Sequence, residues 1–370
     1  MKKNILEIYK TNIIHNLNLI KSHLDKDTKF CAVIKGNAYG TDLIQMANFL
    51  NEYVDFFAVS LAKDAILLRE SGISKKILVL GSTPIEYMED VLENKISVSV
   101  FSEEYLATVK ELARKKNIKA NIHIKYNTGL NRLGFKSKDE IINLAKQLKA
   151  DENINIEGLY THLARADEED FEFNLMQLEK FDELVKELET LELRPEIVHA
   201  KNSSAAITQT DYEYDMIRAG GLIFGLVPNG ENISSYDFRP TMSLKTHLAQ
   251  IHCVEKGHSI GYGENYIAKR DMLIGVLPIG YADGYAKQLE NRAHVLIDGE
   301  KYELVGSIAM DMCMVDLKDR SDFKIGKEVI LLGNSEHESI TVTDIAKMTN
   351  SIETEFVTNI SSVIDRVYLD

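Results

Sequence analysis

Between residue 30 and about residue 225 the chain repeats one pattern, a short apolar, β-branched run followed by a longer amphipathic one. The short runs are FCAVIK, DFFAVS, KKILVLG, ISVSVF, KANIHIKY, INIEGLYTH, EIVHAK and DMIRAG. Such runs read as strands. The segments between them, including TDLIQMANFLNEY, SEEYLATVKELARKK and DFEFNLMQLEKFDELVKELETL, carry apolar residues at i, i+3 and i+4, the spacing of a helix that buries one face. Strands that alternate with helices pair in parallel, and eight of them is the number that closes a (β/α)8 TIM barrel. The Leu, Ile and Met stripes of the helices read as core-facing.

After VPNGENISSYDFRP the period changes. SLKTHLAQIHCVEKG, DMLIGVLPIGYADGY, AHVLIDGEKYELVG and FKIGKEVILLG read as strands with turns, and TVTDIAKMTNSI as one helix. Pro228 and Pro240 frame a linker. The expectation is α/β: a barrel over 1–234, then a smaller, mostly β domain over 235–370, with the first residues pairing with that second domain. At 370 residues the chain exceeds what one hydrophobic core usually holds, which agrees with two domains.

A formal charge of −14 argues against nucleic acid or an anionic membrane as partner, since both draw on excess Lys and Arg. Cys31, Cys253 and Cys313 are isolated, without the spacing of a disulfide framework or a zinc site, so no metal is expected. The start MKKNILEIYKTN meets Glu7 and Lys10 before any apolar stretch forms, and no run reaches a membrane-spanning length. The expected compartment is the cytoplasm, and the partners are a small molecule or other protein chains.

Barrel enzymes place their chemistry at the carboxyl ends of the strands. Here those ends carry Lys35; Lys125, leading to Arg132; His162; His199; and Arg218. Taken singly, a histidine there is more often a hydrogen-bonded structural residue and a loop arginine more often a surface ion-pair partner. Together on one rim, with no matching carboxylate cluster, they ask for an anionic ligand. Asn202, Ser203 and Ser204, with Gly220 and Gly221, add the hydroxyls and free backbone N–H groups that hold a phosphate near the last strands of such barrels. The glycines alone are equally compatible with a tight turn.

Lys35 closes an apolar run, an uncomfortable place for a permanent charge. One reading is a lysine that snorkels from the barrel end. The other is a lysine desolvated beside cations, whose neutral amine attacks an aldehyde. With a phosphate corner in the same pocket, the aldehyde that fits is pyridoxal 5′-phosphate.

These residues carry a resemblance. LEIYKTNIIHNL, AVIKGNAYG, KYNTGLNRLGF, YTHLARADE, HAKNSS, IRAGGLIFGL, IGYGEN, LPIGYADGY and VGSIAMDMCMVDL occur in the order found in the pyridoxal-phosphate-dependent alanine racemases, fold type III, and span nearly the whole chain. The resemblance implies that Lys35 binds the cofactor and acts as one acid/base, that Tyr39, Asn202, Ser203, Gly220 and Gly221 hold its phosphate corner, and that Arg218 sits against the pyridine nitrogen. It implies Tyr262 as the second base, activated by His162 bonded to Arg218. Arg132 would bind the phenolic oxygen and the substrate carboxylate, and Lys125 matches a lysine that is often carbamylated. It further implies a head-to-tail homodimer in which Tyr262, Tyr281, Met310 and Asp311 reach the partner's Lys35. The activity implied is interconversion of L- and D-alanine, which supplies D-alanine for peptidoglycan.

Three positions depart from the family pattern. Thr354 stands where a pocket-walling tyrosine is usual, which enlarges the site and suggests serine or a longer side chain as alternative substrates. Asn127 replaces a common Asp, and Arg165 replaces a neutral residue, either meeting an acidic side chain or lying in solvent. A decarboxylase of basic amino acids is disfavoured because such proteins use a cysteine as the opposite-face acid, where this chain has Tyr262. A non-enzymatic cofactor carrier is disfavoured by the second domain.

Overall fold

The structure, a computed structural model, describes residues 3–370 apart from 169–170, 210, 229–230 and 319. Eight parallel strands form the barrel: β2 (Lys29–Val33), β3 (Phe56–Val59), β4 (Lys76–Val79), β5 (Ser97–Val100), β6 (Ala120–Lys125), β7 (Ile154–Tyr160), β8 (Ile197–His199) and β9 (Met216–Ala219). β9 pairs in parallel with β2, Phe30 opposite Ile217, and so brings the sheet round on itself. Strands such as FFAV and SVSV are buried along their whole length, because helices cover one face and the barrel interior the other. Each fully buried Phe or Leu in them contributes about 1.5–3 kcal/mol.

The seam between β8 and β9 is not a full ladder. It is held by a single bridge between Asn202 and Arg218, where the Arg218 N–H donates to Lys201 O at 3.0 Å. That end of the seam is where Asn202, Ser203 and Gly220 gather.

The covering helices follow from local chemistry. The helix Glu103–Lys116 starts at a Ser102 cap, carries two glutamates in its first turn and three cations in its last, and so complements its own dipole. Lys138–Leu148 opens with a capping box between Ser137 and Glu140.

The second domain is built mainly on a sheet ordered β14 (Glu300–Glu303), β13 (His294–Ile297), β16 (Glu328–Asn334), β10 (Met242–His247), β1 (Ile5–Tyr9), β18 (Asp365–Leu369), with β17 (Ser339–Ile340) paired to β16. β11 (Gln250–Val254), β12 (Met272–Leu277) and β15 (Cys313–Asp316) form a smaller antiparallel sheet. The N-terminal strand β1 thus belongs to the second domain, antiparallel to β10 and parallel to β18. Two helices, Val342–Thr349 and Glu353–Asn359, stand where the sequence pattern indicated one. The second is short and amphipathic over barely two turns, which leaves too little periodicity to read. Residues 229–230, inside the expected linker, lie outside the described residues. No helix among the described residues is long and apolar enough to cross a membrane.

Candidate active site

The strand that leads to Lys35 ends at Val33, two residues earlier than its apolar run suggests. Gly36, Asn37, Ala38 and Tyr39 then take φ values of 63°, 54°, 53° and 55°, one turn of left-handed helix. Such a turn costs roughly 1–2 kcal/mol per non-glycine residue, so its surroundings must enforce it. Ala38 N–H donates to Ile34 O and Gly40 N–H to Gly36 O, each at 3.0 Å. The Tyr39 ring stacks on Phe224 with centroids 4.8 Å apart. From the second domain, Arg366 Nε donates to Gly40 O at 3.0 Å and the Tyr368 hydroxyl to Thr41 O at 2.8 Å. The turn sends Lys35 and Tyr39 into one cavity.

That cavity, about 540 Å³, lies at the carboxyl end of the barrel. Lys35, Tyr39, Lys125, Arg132, His162, Asn202, Ser203, Arg218, Gly220, Gly221 and Thr354 all line it. Sequence reasoning placed every one of these at the site. It missed Ile352 and Glu353, which line the pocket beside Thr354. Their signal was adjacency to Thr354 alone.

The phosphate corner is built tightly. Gly220 N–H donates to Ser203 Oγ at 2.7 Å, and a Cβ on Gly220 would lie 2.4 Å from the Tyr39 hydroxyl, so only glycine lets that hydroxyl reach the corner. Asn202 caps the following short helix by accepting from Ala205 N–H at 2.9 Å.

Electrostatics sharpen the assignment. Desolvation, then the Arg132 and Arg218 charges, lower the Lys35 pKa from its ordinary value, which favours a neutral, nucleophilic amine. Burial, with Arg132, Arg218 and Lys35 nearby, brings Lys125 down to about 8. Arg218 is buried, and desolvation lowers it to about 10, so it stays a cation at neutral pH. Its Nη2 lies 3.1 Å from His162 Nδ1 and its Nη1 2.8 Å from His199 Nδ1. Burial and the surrounding cations hold His162 well below the ordinary imidazole range.

Other expected residues fall differently. His199 lies fully buried beneath Arg218, stacked on Tyr160 at 4.9 Å, and does not line the cavity. Asn127 accepts from the N–H groups of Gly129 and Asn131 at 3.2 and 3.0 Å and so shapes the loop that carries Arg132. Arg165 pairs with Glu168, Nε to Oε2 at 2.6 Å.

Tyr262, Tyr281, Met310 and Asp311 do not line the barrel cavity of their own chain. They are exposed on the second domain, Tyr262 at 75%. The Tyr262 carbonyl accepts from Ser307 Oγ at 2.9 Å, while Gly261, at φ 79°, brings the turn close against the Ser307 backbone. Ala282 N–H donates to Met310 O at 2.9 Å and holds the Tyr281 and Met310 loops together. Among the described residues no group of His, Cys, Asp and Glu could hold a metal ion.

The sequence models of the alanine racemase N-terminal and C-terminal domains match residues 8–228 and 241–368. The chain is 36% identical over 356 residues to an alanine racemase of Streptococcus uberis, covering 96% of this chain and 95% of that one. It is 33% identical over 368 residues to alanine racemase 1 of Caldanaerobacter subterraneus, covering 98% and 94%. Among solved structures it resembles the alanine racemase of Clostridium difficile at a TM-score of 0.94 and 36% identity, covering 100% of this chain and 96% of that one. The Bacillus anthracis alanine racemase, solved with bound L-Ala-P, matches at a TM-score of 0.94 and 30% identity, with coverage of 100% and 96%. On sequence and fold, this chain belongs to the alanine racemase family.

Proposed function

We propose that the chain racemises alanine with pyridoxal 5′-phosphate, Lys35 and Tyr262 serving as the two bases on opposite faces of Cα. The observation that carries this reading is the depressed Lys35 amine in a cavity lined by Arg218, Ser203, Tyr39 and Gly220. These residues fit the cofactor. Lys35 would hold it covalently, Tyr39, Ser203 and the Gly220–Gly221 backbone its phosphate, and Arg218 its ring nitrogen. When bound, the cofactor supplies an aldehyde for the amino group and a ring that accepts the electron pair released at Cα.

Arg218 donates hydrogen bonds and does not give up its proton, so it would leave a ring nitrogen facing it unprotonated. Arg132 orients the substrate carboxylate. Lys35 moves a proton at one face of Cα, and a phenol at the other face completes inversion.

Tyr262 is exposed and outside its own chain's cavity, which supports delivery across a head-to-tail homodimer, beside Tyr281, Met310 and Asp311. Thr354, in place of a larger phenol, leaves room for serine as a secondary substrate. In the cytoplasm such an enzyme supplies D-alanine for peptidoglycan.

Solvent deuterium incorporation into a panel of L-amino acids tests the assignment. Exchange into alanine with loss of optical activity is expected. Release of CO₂ without exchange would point to decarboxylation, and absence of both would leave a binding protein.

A further inference from the structure

The barrel interior beneath the cavity holds a polar chain where apolar side chains usually pack. Arg218 Nη1 lies 2.8 Å from His199 Nδ1, His199 Nε2 lies 2.8 Å from His123 Nδ1, and His123 Nε2 lies 3.0 Å from Glu157 Oε2. His123 and His199 are fully buried and Glu157 nearly so. Ser97 donates to Glu157 Oε2, and Lys76, half exposed at the barrel floor, pairs with Oε1 at 2.7 Å.

The direction of this chain is fixed by its ends. An arginine only donates and a carboxylate only accepts. His199 Nδ1 and His123 Nδ1 must therefore accept, both imidazoles carry their proton on Nε2, and every N–H points from Arg218 toward Glu157. Burial lowers both histidines, so they remain neutral links. Burial opposes ionisation of Glu157, but hydrogen bonds from His123, Lys76 and Ser97 outweigh it and hold the carboxyl below its ordinary range.

The backbone is adapted to seat this chain. Ile122 pairs with Ile156 but His123 with Gly158, so Glu157 is an extra residue in β7, and the irregularity turns its side chain inward. A Cβ on Gly158 would lie 2.2 Å from His123 Nδ1. Arg218 has no carboxylate ion-pair partner among the described residues; Tyr160, Cys31, His123, His162 and His199 surround it, and the nearby charges, Lys35 and Lys125, are themselves cations.

We propose that Glu157 is a positioning residue: through His123 and His199 it is the remote counter-ion that orients the Arg218 guanidinium toward the cavity. The task given to Arg218 rests on the proposed function; the relay does not.

Two measurements test it. In ¹⁵N-histidine NMR of the full-length protein, His123 and His199 are expected as neutral Nε2–H tautomers from pH 6 to 9; an Nδ1–H tautomer or an imidazolium at either position overturns the relay, whether or not the protein racemises alanine. In the pyridoxal-phosphate-loaded protein, Glu157→Gln keeps an acceptor for His123 and removes the charge. The expected result is a kcat lower by about tenfold with KM within about twofold, and a shifted visible absorption of the bound cofactor. Wild-type kcat and absorption overturn the role. Should that variant not fold, Lys76→Met with Glu157→Gln removes both charges of the pair and is read the same way.

Discussion

Arg218 Nη2 stands 3.1 Å from His162 Nδ1, and because arginine only donates, this contact leaves the His162 proton on Nε2. A neutral imidazole with a fixed Nε2–H is suited to donate to a phenolate, the part that the proposed dimer gives to Tyr262. Replacing His162 with Ala should lower kcat by about 10- to 100-fold. Deuterium exchange at Cα should slow from one face only, and equal loss from both enantiomers would sink the assignment.

Lys125, lowered to about 8, is half neutral near that pH, and its ratio of neutral to charged amine falls about tenfold for each unit below. A carbamate forms only from the neutral amine. Activity lost on removal of CO₂ should return with bicarbonate more fully at pH 8.5 than at 6.5. Lys125→Ala should not respond at either pH.

Gly158→Ala would force a methyl group to 2.2 Å from the His123 ring inside a packed barrel. The expected loss is about 2–4 kcal/mol of folding stability, measured by denaturant titration. A neutral outcome would mean that the His123 ring can leave its seat.

Thr354→Tyr should narrow the cavity beside Ile352 and Glu353. The ratio of kcat/KM for serine to that for alanine should fall by about tenfold. An unchanged ratio would show that side-chain choice is made elsewhere.

The eight barrel strands were legible because parallel strands buried on both faces are continuous apolar runs, as FFAV shows. The rim was legible because cations and small polar residues interrupt those runs at their ends. Glu157 and His123 were harder to see. Both lie inside strands, and the irregular pairing that turns Glu157 inward depends on a neighbouring strand, so no local period reveals it. The left-handed turn after Lys35 was hidden for a similar reason: Asn37, Ala38 and Tyr39 adopt it under constraints from residues more than 300 positions away.

That distance has a consequence for how the protein can be divided. A Cβ on Gly40 would meet the Val357 carbonyl oxygen at 2.1 Å, and Arg366 and Tyr368 grip the same turn. A fragment ending near residue 234 could keep every barrel strand and still lose the seat of Lys35. The seat of the reactive amine is therefore shared property: the barrel supplies the lysine, and the far end of the chain holds the turn beside it.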